Sequence, residues 1–402
     1  MSISVDSLIE IFAKIRNALS SQQEKMTEDI EKIKFNQFEF PETCKASSFT
    51  AVDGSYIFLW RLGTTSVVAT RVAAITYGND FKIMNQVCED RVALLSFDES
   101  VADFIDDRTM SQILHITSSS SSLFDLDANK ETPQENTTSD NNPHTRKNTE
   151  PKSDSTSEAS PHSYFNKDRT DFAAELYMVA KEFEMAEKVS NAYSNTIIAI
   201  DGGLARRSEA PFKEHIDITA KNCVRNSSAF VGIVKGTSKS SFDAMFRDEV
   251  YADAIARKKN VEGCWYIEIP GDVKLRYAKL HPLAVQPFRI DINEKTINPK
   301  TWCQSTESVI KSIAYYASNE LCLGYPFPSV EAHQLAVTLR HMFPALQSIC
   351  LEAAIQSGFS YHEALSYLTS IYGTTRSDFH TQLDGISKKG RGSRLVKGSV
   401  KT

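Results

Sequence analysis

The sequence predicts an α/β protein: a mixed sheet flanked by helices, with helical additions at both ends and one polar insertion. Three observations carry this. Apolar, β-branched runs of strand length recur at 48–78, 196–201, 228–236, 264–271 and 283–292. Stretches with apolar side chains at helical spacing lie around them, at 5–34, 171–191, 304–320 and 345–372. Between 127 and 163 only Ala128 and Ala159 are apolar, too little to offset the chain entropy of ordering.

The chain has 402 residues, with 45 Lys and Arg against 51 Asp and Glu, a formal charge of −6. A uniformly basic nucleic-acid coat is excluded; a local basic patch is not. No run reaches the ~18 apolar residues of a membrane span. The first residues lack the basic start and small-residue cleavage site of a signal peptide. Seven cysteines, with no CxxC pair, argue against a zinc ribbon or a disulfide framework. They predict reduced thiols and a cytoplasmic location.

Taken in order, residues 5–34 form two helical stretches, with Leu8, Ile9, Phe12, Ile15, Leu19, Met26, Ile30 and Ile33 on the apolar face. Such a stripe ordinarily serves packing or self-association. SSFTAVDGSYIFLWRLGTTSVVATRVAAITY predicts a strand ending at Asp53, then at least two more in a meander. Residues 91–116 are mixed, with a helix over 101–115. The tract 117–168 reads as a disordered insertion. From Asp171 a helix resumes, with Phe172, Leu176, Val179, Ala180 and Phe183 on one face. TIIAIDGGL is a buried strand meeting a tight turn. SAFVGIVKG, CWYIEIPG and LAVQPFRIDI are further strands. A helix over 304–320 follows, then one starting near Ser329, then a helical segment over 345–372.

Two aspartates stand in matching places. Asp53 closes FTAVD before Gly54, and Asp201 closes TIIAID before Gly202. A carboxylate leaving a buried strand, followed by glycine, is open to close approach by a ligand. Two on neighbouring strands would share a hard divalent cation such as Mg²⁺ or Mn²⁺. Asp-Gly is also a common turn, and each dipeptide alone has that plainer reading. The third element is GYPFPSVEAH, with Tyr325, Pro326, Pro328 and His333. A proline-anchored loop entering a helix can aim the imidazole at a site. A lone histidine is otherwise more often a satisfied structural residue.

AVDGSY, IDGGL and GYPFPSVEAHQLA occur in that order from Asp53 to Arg340. In this the chain resembles the NurA family of nucleases. The resemblance covers that span apart from the 117–168 tract, and the YPxPxxxAH combination is its most specific part. FVGIVKG with Lys235 and PFRIDI with Arg289 also fall where the family has similar strands. The resemblance implies an RNase H-like core and Mn²⁺-dependent DNA cleavage, with Mg²⁺ as the alternative metal. It implies 5′-to-3′ exonuclease and single-strand endonuclease activity on single- and double-stranded ends. It also implies work in DNA end resection with a HerA-type hexameric translocating ATPase, most simply as a homodimer.

Carried onto this chain, Asp53 and Asp201 would bind metal. His333 and Tyr325 match the C-terminal motif, with His333 near metal or phosphate. The family also has a metal-binding glutamate on the helix before the second aspartate, where this chain offers Glu175, Glu182, Glu184 and Glu187. A strand over 196–201 spans roughly 20 Å, a height that an antiparallel helix climbs in about 13 residues. Counting back from a helix end near Lys188 ranks Glu175 first and Glu182 second. The domain reading is then an N-terminal helical segment (1–34), a nuclease domain in two parts (35–116 and 169–345) around the insertion (117–168), and C-terminal helices with a basic tail (346–402).

Two departures stand out. Gly203 occupies a place where the family usually has serine, and the long polar tract interrupts the motifs. Insertions of that kind are thermodynamically tolerated. Arg206 and Arg207 follow the second aspartate and are expected to contact phosphate. Lys235 reads equally as a solvated strand end or as a phosphate contact. The tail holds six basic residues between Lys388 and Lys401 and no acid, which would add sequence-independent DNA affinity. Leu8, Phe12 and Ile15 are candidate docking residues for the ATPase. The rival functions are a non-catalytic DNA clamp or adaptor, which needs no carboxylate cluster, and a hydrolase of small phosphoesters.

Overall fold

The computed structural model describes residues 31–62, 65–97, 162–204, 212–236, 247–269 and 275–369, with residues 9, 12–14, 16, 113 and 242. Its frame is a nine-stranded mixed sheet. The β-branched stretch after residue 48 folds as a meander of β2 (Ser48–Leu62), β3 (Thr65–Gly78) and β4 (Ile83–Ser96), each antiparallel to the last. Helix α1 (His162–Ala192) brings the chain back to β5 (Thr196–Asp201), which pairs parallel with β2. Helix α2 (Phe212–Arg225) makes the crossover to β6 (Ala229–Val234), again parallel. Parallel neighbours require such crossovers, because a tight hairpin can join only antiparallel strands.

Beyond β6 the sheet turns antiparallel. Helix α3 (Asp248–Lys258) precedes β7 (Cys264–Ile269), β8 (Leu275–Lys279) and β9 (Phe288–Ile292), and β9 pairs with β6. Strand β1 (Asn36–Phe38) closes this edge. The order β1-β7-β8-β9-β6-β5-β2-β3-β4 places β6 at the centre, with β5, the strand ending in Asp201, beside it. The expected class holds: an antiparallel meander continued by two parallel strands, RNase H-like, with helices on both faces.

Alternation along the strands sorts their side chains between those faces. Val52, Ile198, Ile200 and Phe230 pack against Ala173, Tyr177, Ala180 and Phe183 of α1. Phe49, Ala51, Ile197, Ala199, Val231 and Ile233 share a core with Val309, Ile310 and Ile313 of α4 (Thr306–Tyr315) and Ala332 of α5 (Phe327–Val337). Two further helices, α6 (Phe343–Gln356) and α7 (Tyr361–Tyr367), follow. Gly358, at φ +100°, divides what the sequence suggests is one helix.

The structure amends several boundaries. Strand β2 does not end at Asp53 but continues to Leu62. Strand β4 escapes prediction because its first half is a largely exposed edge without a clean apolar alternation. Helix α1 starts at His162, so the last residues of the 117–168 tract belong to it. Only Phe288–Ile292 of LAVQPFRIDI is strand. Helix α4 begins after a capping box made by Ser305 and Ser308. Helix α5 begins at Phe327 rather than Ser329. Pro326 is its N-cap and Pro328 lies in its first turn, where a missing N–H goes unneeded. The helix expected over 101–115, most of the polar tract and the basic tail lie outside the described residues.

Candidate metal centre

Strand register brings the two aspartates together. Val52 pairs with Ile200 at the last step of the parallel β2–β5 ladder, so Asp53 and Asp201 stand side by side one step further. Both follow the odd-numbered alternation and face α5. Asp201 pairs in turn with Ile233 of β6. Two residues on, and on the same face, comes Lys235. Helix α5 lays His333 over this point. One ligand atom each from Asp53, Asp201 and His333 lies within 4.8 Å of the others.

The contacts are specific. His333 Nδ1 lies 2.8 Å from Asp53 Oδ2. An ionised carboxylate only accepts, so to it Nδ1 donates. The Gly54 N–H donates to Asp53 Oδ1 at 2.7 Å. Lys235 Nζ donates to Asp201 Oδ2 at 2.7 Å and stands 3.8 Å from Asp53 Oδ2. It also lies 5.6 Å from the centre of the Tyr325 ring. Asp53 is buried, while Lys235 keeps 41% of its side chain in solvent.

Burial, and then the neighbouring Asp201 charge, push the Asp53 carboxyl up to about 6, against smaller opposing pulls from Lys235 and His333. Tyr325 is buried against Phe288, with ring centres 5.1 Å apart. Burial first, and then the charges of Asp201 and Asp53, raise its phenol well above the usual value. It therefore stays protonated and lines the cluster as a neutral wall.

The donor set suits a divalent cation. Two carboxylates and an imidazole offer hard oxygen and borderline nitrogen, a combination compatible with Mn²⁺. The two adjacent negative charges already hold a cation, the Lys235 ammonium.

Neither helix glutamate belongs to the three-residue group. Glu175 is exposed; burial, then the charge of Asp171 and only then that of Glu175 raise the Tyr56 phenol. Glu182 is buried against Gly54, where an added Cβ would fall 2.8 Å from its Oε1 and from Met178 Cγ. Of the two, Glu182 rather than Glu175 abuts the Asp53-Gly54 step. It comes from the α1 face, across the sheet from Asp53. Gly54 is needed for that close approach rather than for a turn.

The turn after Asp201 is a true one. Gly202 has φ +108°, and its N–H donates to Ile233 O at 2.9 Å. A Cβ at Gly232 would collide with Gly202 O. The neighbouring Gly203, where the family usually has serine, packs against a buried ion pair. Arg289 Nη2 lies 2.8 Å from Asp291 Oδ2, and a Cβ at 203 would run into both groups. That pair was not anticipated. Arg and Asp two apart on one strand, and so on one face, were the available signal.

Arg206 and Arg207 lie outside the described residues. Phe12 is 63% exposed, and Leu8 and Ile15 are outside the description. Among the described residues no helix is long and apolar enough to cross a membrane.

No protein-family model and no curated protein matches the chain. Solved structures do. One is Ciona intestinalis endonuclease V bound to a 24mer DNA containing an inosine followed by a ribo-adenosine. It is 10% identical, with 81% of this chain and 97% of that chain covered and a TM-score of 0.35. The catalytic domain of human endonuclease V is 9% identical, with coverage of 82% and 98% and a TM-score of 0.33. Argonaute of A. aeolicus is 10% identical, with coverage of 72% and 28% and a TM-score of 0.32. With TM-scores this low, none of them assigns an activity to this chain.

Proposed function

We propose that this chain is a divalent-cation-dependent DNA nuclease whose centre is the Asp53–Asp201–His333 cluster. The observation that carries the reading is the convergence of these three side chains within 4.8 Å. They come from positions 53, 201 and 333, and a fold has no structural need to place two carboxylates together beside a buried wall. A cation bound here would supply an acidified water and a positive charge for the leaving oxygen of a phosphodiester. Asp53 and Asp201 would hold it. His333, fixed by its Nδ1 bond to Asp53, would present Nε2 to the metal or to phosphate. Tyr325 excludes water from one side, and Lys235 offers a mobile positive charge for the substrate. Glu182 remains the better placed helix carboxylate and Glu175 the poorer.

The finer reading follows the motif resemblance. It is a NurA-type enzyme using Mn²⁺, cutting 5′-to-3′ from linear ends and within single strands. It would act as a homodimer with a HerA-type ATPase in end resection. The clamp or adaptor reading is weaker, because carboxylates aimed at the binding face would repel phosphate. The test is degradation of linear single- and double-stranded DNA with Mn²⁺, beside an EDTA control and the Asp201→Ala chain. Metal-dependent loss of substrate with wild type alone is the expected result. No degradation in any metal would leave the clamp.

A further inference from the structure

Lys235 does more than line the cluster. Its ammonium lies between the two carboxylates, 2.7 Å from Asp201 Oδ2 and 3.8 Å from Asp53 Oδ2. That is the space which a cation shared by both aspartates must enter. Ammonium and divalent metal cannot occupy it together, since like charges at this range repel strongly. The side chain is also able to leave. It sits just beyond the end of β6, before Gly236, on a flexible four-carbon stem. With 41% of the side chain in solvent, outward rotation meets little resistance. In its present place the ammonium is also 5.6 Å from the centre of the Tyr325 ring, a weaker attraction than an ion pair. His333 differs, being anchored on a helix and bonded directly to Asp53.

We infer that Lys235 is a built-in competitor of the metal. It offsets part of the charge of Asp53 and Asp201 in the metal-free chain and is displaced when a divalent cation loads. This inference rests on the metal reading of the same cluster and adds its regulation: Lys235 raises the cation concentration at which the site fills. Displacement also frees the ammonium beside the loaded centre, where an anionic substrate would meet it.

Calorimetric titration of Mn²⁺ alone into the full chain, without DNA, tests this. Lys235→Met should bind Mn²⁺ about tenfold more tightly than wild type or better, the scale of one close charge interaction at a half-exposed site. Lys235→Arg, which keeps the charge, should bind no more tightly than wild type. If Lys235→Met fails to fold, Lys235→Gln gives the same comparison with a polar stem end. Unchanged or weakened Mn²⁺ binding in the neutral variant, with binding lost in Asp201→Asn, would overturn the competitor role and leave the metal site standing. Wild-type affinity retained in Asp201→Asn would overturn both.

Discussion

Asp53-Gly54 and Asp201-Gly202 are the same dipeptide, each placed where an apolar strand brings a carboxylate to the cluster, yet the glycines serve different ends. Gly202 makes a turn at φ +108°, a region that residues with a Cβ enter only at a cost. Gly54 stays within a strand that runs on to Leu62, and it is small because Glu182 and Met178 of α1 press against it. Asp-Gly in a sequence therefore marks a backbone position without a side chain. It does not say whether torsion or packing demands that.

The comparison breaks most sharply at the carboxylates. If both aspartates hold one cation, Asp53→Ala and Asp201→Ala should each reduce Mn²⁺-dependent cleavage by more than the ~10–100-fold seen when an outer partner of a metal ligand is lost. Activity surviving in one variant, measured on labelled linear DNA, would mean that the two motifs are not equivalent.

The glycines come next. Gly202→Ala should lower stability by about 1–2 kcal/mol through backbone strain. Gly54→Ala should lower it by about 1–3 kcal/mol through overpacking. Denaturant unfolding distinguishes the causes. Adding Glu182→Ala should recover part of the Gly54→Ala loss and none of the Gly202→Ala loss. Equal recovery in both would show that the distinction is false.

An effect of similar size concerns charge. In the metal-free fold the Asp53 carboxyl is raised to about 6 from 3.8, so the folded state holds this proton more tightly than the unfolded chain. The resulting stabilisation is complete below about pH 4 and is lost as pH rises through 6. Asp53→Asn, which cannot ionise, should therefore melt above wild type at pH 8 in EDTA, by about 1–3 kcal/mol. The gain should vanish towards pH 4. A gain of the same size at both pH values would contradict the electrostatic cause. Gly203→Ser should lower stability by about 1–3 kcal/mol, because the intruding group must shift Arg289 and Asp291 in their buried pair.

Much of this was legible in the residues. The run TIIAID, bounded by Gly-Gly, announced a buried strand with a carboxylate at its exit. GYPFPSVEAH announced a loop entering a helix that carries His333. The placing of Glu175 and Glu182 turns on two quantities, the helix end and the rise of the strand. Helix α1 ends at Ala192, not near Lys188. Five steps along β5 rise only about 16 Å, which is about 11 helical residues. The same count from Ala192 lands beside Glu182. Strand β4 was hidden because an edge strand need not alternate cleanly. The Lys235–Asp201 pair was hidden because the β5–β6 register is a tertiary fact that spacing along one chain does not contain.

The central claim is that Asp53 and Asp201 share one divalent cation. Anomalous diffraction at the manganese edge, from crystals grown with Mn²⁺, measures it directly. The account predicts an anomalous peak bounded by Asp53, Asp201 and His333, with Lys235 swung off Asp201. A chain saturated with Mn²⁺ that shows no peak there, with the Lys235–Asp201 bond intact, would contradict it.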